Sequence, residues 1–79
     1  MVYVKYDPDN INIRFGELLR KYRKAKNMTQ IEFAKYCFIS RAYYGRVERG
    51  EHSLRLDKIE MIAQCLEISI SELFSELLE

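Results

Sequence analysis

The 79-residue chain has one proline, three glycines, two cysteines and one histidine. With so few breakers, long loops are not expected. Cys37 and Cys65 stand 28 residues apart, without CxxC spacing, and His52 is close to neither in sequence. No zinc site is therefore expected, and both cysteines read as reduced, mostly buried thiols. No run of 18 apolar residues occurs, so no membrane span is expected. The start of the chain lacks the charged, apolar and small-residue succession of a signal peptide, which makes a cytoplasmic location the expectation. No carboxylate pair, Cys/His pair or glycine-rich phosphate loop lies in a pocket-forming context. An enzyme is not expected, nor is a cofactor, metal or small-molecule ligand.

What is present suits a folded domain. The hydrophobic fraction of 48% and aromatic fraction of 13% supply a core and argue against disorder. A chain of this length buries only about 60–65% of its unfolded surface, so oligomerisation would help it. The net charge of +1 conceals an asymmetry. Residues 14–49 carry ten Lys/Arg against three Asp/Glu, whereas residues 50–79 carry two against seven. A basic half suits phosphate contact, and an acidic half suits a surface turned away from nucleic acid.

Residues 2–6 are β-prone, and Asp7-Pro8-Asp9-Asn10 reads as a turn. Residues 1–11 are thus assigned to an N-terminal arm, and 12–79 to a single domain. A first helix is expected over 12–26, with Phe15, Leu19 and Tyr22 at helical spacing and Leu18 widening the stripe. Asn27 fits the left-handed position beyond its end. Thr29 and Glu32 form a capping box that opens a second helix over 30–37. Ser40 caps a third helix that runs to residue 48, and Gly50 stops it. A fourth helix is expected over 56–66, with Ile59, Ile62, Ala63 and Leu66 facing inward. Ser69 with Glu72 opens a fifth. The expectation is an all-α domain of five helices with a short N-terminal β arm.

Residues 29–50, TQIEFAKYCFISRAYYGRVERG, are the most informative stretch. Two short helices meet at a tight turn, and the second carries Arg41, Arg46 and Arg49. Ala34 sits where the helices would cross closely, while Ile39, Tyr44 and Val47 supply apolar anchors. This is the pattern of a helix-turn-helix over about residues 29–49, whose second helix enters the major groove of DNA.

On FGELLRKYRKAKN-MTQIEFA, SRAYYGRVERG and IEMIAQCLEISISELF, the chain resembles the Cro/C1-type, lambda-repressor-like helix-turn-helix family over residues 15–74. Within it, the chain is most similar to the small controller proteins of restriction–modification systems. Arg41-Ala42-Tyr43-Tyr44 is close to their Arg-Thr-Tyr-Ile, Leu54 stands where many relatives have proline, and Leu66-Glu67-Ile68 replaces Leu-Gly-Val. Phage-type and chromosomal repressors use similar residues. One departure is Phe38, where the family usually has a turn glycine. A left-handed backbone there would strain a bulky residue, so either a different turn or compensating packing is expected.

The resemblance implies a set of DNA contacts. Gln30 would bond a phosphate and brace the recognition helix. Ser40, Arg41 and Ala42 lie at the helix end that points into the groove. Arg41 is the strongest candidate for base reading, because its fork can bond O6 and N7 of guanine together. Tyr43 would lie near the backbone, Arg46 would touch a base or phosphate, and Arg49 would position a phosphate. Lys35 reads as solvated, and Tyr44 as core. In matching repressors Arg23 and Glu48 form a partly buried ion pair that ties the first helix to the end of the third, and the same is expected here.

One module gives few base contacts, so a homodimer on a palindromic site is expected, with half-sites roughly 34 Å apart. Ile68, Ile70, Leu73, Phe74, Leu77 and Leu78 are the candidate interface. The expected function is a sequence-specific DNA-binding transcriptional regulator that controls its own gene. As a controller it would contact RNA polymerase in addition to double-stranded DNA. The alternative is an antitoxin that binds a toxin partner as well as DNA.

Overall fold

A computed structural model describes residues 8–78, which form five α-helices: α1 (Pro8–Ala25), α2 (Gln30–Tyr36), α3 (Arg41–Glu48), α4 (Leu56–Cys65) and α5 (Ile70–Leu78). The β-prone residues 2–6 lie outside the described residues. The supposed turn at Pro8 is instead the start of α1, four residues before the expected position. Proline suits the first position of a helix, because its missing N–H would have no intrahelical partner there.

Local chemistry sets the helix boundaries. Thr29 accepts from the Glu32 amide at 3.2 Å, and the Glu32 carboxylate accepts from the Thr29 amide at 2.9 Å. Ser69 and Glu72 repeat the exchange at the head of α5, at 3.0 and 3.3 Å. The first four helices end alike, each followed by a residue with positive φ: Asn27 at 56°, Phe38 at 57°, Gly50 at 75° and Glu67 at 58°. At each end the next amide reaches back five residues, as from Ile39 to the Ala34 carbonyl at 2.9 Å. That closure satisfies carbonyls the helix would otherwise leave open. Phe38 therefore keeps the turn that glycine would favour. Its ring gains no packing in return, being 89% exposed.

The core is built around Leu19, Phe33, Tyr44, Ile62, Leu73 and Cys37, all fully buried. The rings of Phe33 and Tyr44 pack at 5.3 Å between centroids, tilted by 52°, and this contact locks α2 to α3. Gly16 allows α1 to cross the end of α3 closely. A Cβ at that position would collide with the Glu48 backbone and stand 2.7 Å from the Val47 carbonyl oxygen. At the far end, Arg14 donates to the Leu77 carbonyl at 2.6 Å, and the Tyr22 hydroxyl donates to Glu76, so α1 also holds α5. Burial and the Glu76 carboxylate together push the Tyr22 phenol up to about 12.

One expectation is corrected here. Cys37 and Cys65 are not free thiols: they form a disulfide, with Cα atoms 5.6 Å apart. Each stands at the C-terminal end of its helix, and α2 and α4 bring those ends together. Of the candidate interface residues, Leu73 and Leu77 lie in the core of the chain at 0% and 7% exposure. Ile68, Ile70 and Phe74 are partly buried against the core, and Leu78 is 71% exposed.

Candidate nucleic-acid interface

Ser40 accepts from the Tyr43 amide at 3.2 Å and so fixes the direction in which α3 begins. Tyr44 and Val47 turn into the core, which leaves Arg41, Ala42, Arg46 and Arg49 outward along one side. Gln30, the first residue of α2, faces the same space. Gln30, Arg41, Ala42, Gly45, Arg46 and Arg49 line an open concavity of about 430 Å³. Three arginines thus border one space, together with the small residues Ala42 and Gly45.

Ser40 and Tyr43 lie elsewhere. With Phe38, Ile39, Arg46, Arg55 and Lys58 they line an adjoining concavity of about 450 Å³, so Arg46 belongs to both. Tyr43 also meets the His52 ring edge-on, with centroids 5.0 Å apart. Lys35 is exposed in the last turn of α2.

Behind the concavity is a buried charge. The Glu48 side chain is 0% exposed and that of Arg23 is 13% exposed. Arg23 donates through Nε at 2.9 Å and Nη2 at 2.8 Å, one bond to each carboxylate oxygen. Its third nitrogen donates to the Met28 carbonyl at 2.9 Å. Arg20 adds a bond at 3.2 Å, and the Gln30 amide adds one at 3.1 Å. Gln30 thus braces the recognition helix through Glu48. Burial by itself would push the Glu48 carboxyl up, but the donors from Arg23, Gln30 and Arg20, with the Tyr44 hydroxyl beside them, outweigh it and hold the group at about 2. The Tyr44 hydroxyl meets no acceptor in good geometry, and burial raises its phenol strongly.

Sequence reasoning missed Gly45, Glu51, Arg55 and Lys58. A glycine inside an otherwise helical segment was a usable signal for Gly45, because it weakens the helix and so points to a close approach. Glu51 gave none, since it reads as the first member of the acidic half. It nevertheless reaches back over α3 and takes Arg49 in a fork, with Oε2 at 2.7 Å from Nε and Oε1 at 3.4 Å from Nη2. Their mutual bonding pushes the Arg49 guanidinium up and the Glu51 carboxyl down.

Known proteins are similar to this chain in sequence and in fold. Control protein C.MunI from a Mycoplasma species is 40% identical over 70 residues, covering 87% of this chain and 95% of its own. The crystal structure of the restriction-modification controller protein C.AhdI from Aeromonas hydrophila superposes with a TM-score of 0.72 at 38% identity, over 80% of this chain and 96% of that one. Controller protein C.Esp1396I, solved as a tetramer in complex with its natural 35 base-pair operator, gives a TM-score of 0.76 at 28% identity, over 86% and 90% of the two chains. These relatives are named as control or restriction-modification controller proteins. Residues 19–73 match the model of the helix-turn-helix family, and the chain belongs to that family.

Proposed function

We propose that this protein is a sequence-specific DNA-binding transcriptional regulator that acts as a homodimer on a palindromic operator before its own gene, in the manner of a restriction–modification controller. One observation carries the reading. The first and second turns of α3 bring Arg41, Ala42 and Arg46 to the lining of one concavity that Gln30 and Arg49 also line. A helix carried in that way fits the major groove, with its N-terminal residues at base edges and its flanks at phosphates. The likeness to C.MunI and C.AhdI along most of each chain supports the controller assignment. The operator complex of C.Esp1396I supports DNA as the ligand. Within this reading, Arg41 reads guanine, Gln30 and Arg49 hold phosphates, and a DNA-bound dimer meets polymerase.

The test is a titration of the purified protein against the DNA just upstream of its gene, with scrambled DNA as control, at two salt concentrations. Preference for the upstream DNA is expected. Arg41→Ala should lose about 1–3 kcal/mol of that discrimination. Equal, weak binding to both DNAs would overturn the autoregulatory reading.

A further inference from the structure

The concavity beside α3 gathers three arginines, and a single carboxylate stands at its edge. Among the described residues, Arg49 is the one arginine of the three that is paired with an acid. Glu51 is well placed for this. Its amide donates to the Arg46 carbonyl at 2.9 Å, so the closure that ends α3 pins its backbone. Its carboxylate takes Nε and Nη2 of Arg49. The opposite corner of the same guanidinium, Nη1, lies 3.2 Å from the point where a side chain at residue 45 would begin, and the Gln30 side-chain oxygen Oε1 lies 3.8 Å from that point. Gly45 thus provides a notch into which the guanidinium folds, and Glu51 closes it from outside.

We propose that Glu51 is a specificity-determining residue of the DNA face: its carboxylate holds Arg49 in the notch over Gly45 and withholds that charge from DNA phosphates until the operator, bound in register, displaces it. The inference rests on the DNA-binding reading above. Both side chains of the pair are about half exposed, at 50% and 53%, so solvent and salt weaken it and a phosphate can compete. Binding to arbitrary DNA draws its affinity almost entirely from the number of phosphates neutralised. An arginine that must first give up a carboxylate partner adds less to that binding, so Glu51 lowers non-specific affinity. On the operator, base contacts by Arg41 fix the register and bring one phosphate to Arg49 at hydrogen-bonding distance. A charge-assisted bond to that phosphate then replaces the one to Glu51. The ratio of specific to non-specific affinity rises, although the affinity for each DNA is lower than it would be without the acid.

The experiment compares wild type, Glu51→Gln, Arg49→Ala and the double variant, each confirmed folded by its thermal melt. Each is titrated against upstream and scrambled DNA at several salt concentrations. Glu51→Gln should tighten scrambled DNA by about two- to fivefold, and upstream DNA by less. It should also steepen the dependence on salt by about one phosphate equivalent. In the Arg49→Ala background it should change nothing. Tightening that persists without Arg49 would mean general repulsion and would overturn the proposal. So would weaker binding by Glu51→Gln, since the acid would then be orienting Arg49 for DNA. If wild type fails to distinguish the two DNAs, the autoregulator reading falls. The coupling between residues 49 and 51 is still read on scrambled DNA, and its absence there overturns the latch separately.

Discussion

Glu48 is the residue on which the recognition helix hangs. Its carboxylate is fully enclosed, and donors from α1 and α2 meet it at the end of α3. An isolated carboxylate would not stay charged in such a place, because burial favours the neutral form. The side-on fork from Arg23 reverses that preference, and the third Arg23 nitrogen donates to the Met28 carbonyl, so each guanidinium nitrogen makes a bond. Removing one partner strands the other. Glu48→Ala should cost about 3–5 kcal/mol in urea unfolding at neutral pH. That is a large part of the total stability of a domain this small. The pH dependence follows in sign. The carboxyl is held at about 2 in the folded chain against an ordinary value of 4.5, so its contribution is fully present above about pH 4.5 and is lost as pH falls toward 2. Glu48→Gln should flatten that part of the stability profile relative to wild type. Equal slopes for the two proteins across this window would remove Glu48 from the account.

At the scale of the element, the helix ends decide the fold. Thr29, Ser40 and Ser69 could be read directly, because a cap is a local bargain between a side chain and an amide two or three residues on. The positive φ values at Asn27, Phe38 and Glu67 could not all be read, for only the first residue type favours that conformation. Phe38 is the sharpest case: a bulky side chain in a left-handed backbone with its ring in solvent. Phe38→Gly would remove the strain and forfeit little packing, while adding entropy to the unfolded chain. The difference should favour the variant by about 0.5–1 kcal/mol, read as a higher urea midpoint. A lower midpoint would mean that the ring is covered in solution. The Cys37–Cys65 pair was hidden from the sequence for another reason. A separation of 28 residues says nothing about proximity until α2 and α4 are packed with their ends together. Likewise, the candidate DNA contacts on α3 follow from period and position, whereas the Arg49–Glu51 fork depends on how the chain turns back after Gly50.

For the whole molecule, the question is what surface remains once the core has closed. The apolar band of α5 is too wide for a helix of its length, and sequence alone does not divide it between core and interface. The division depends on where α1 and α4 lie. They take Leu73 and Leu77 inward, leave Ile68, Ile70 and Phe74 partly covered, and leave Leu78 out. A self-complementary dimer would draw on those last four, on the acidic half of the chain and away from the arginines of α3. Its effect on DNA binding would be steep, because each protomer would bring its own helix to one half-site and occupancy would follow dimer concentration. Leu78→Asp tests this without touching the core, since the side chain is 71% exposed. The variant should keep the wild-type thermal unfolding profile at low concentration. Wild type should sediment as a dimer and the variant as a monomer, and the variant should bind upstream DNA at least about tenfold more weakly, with no matching loss on scrambled DNA. If it remains a dimer by sedimentation, the exposed end of α5 is not the seam, and the interface must be sought on another face.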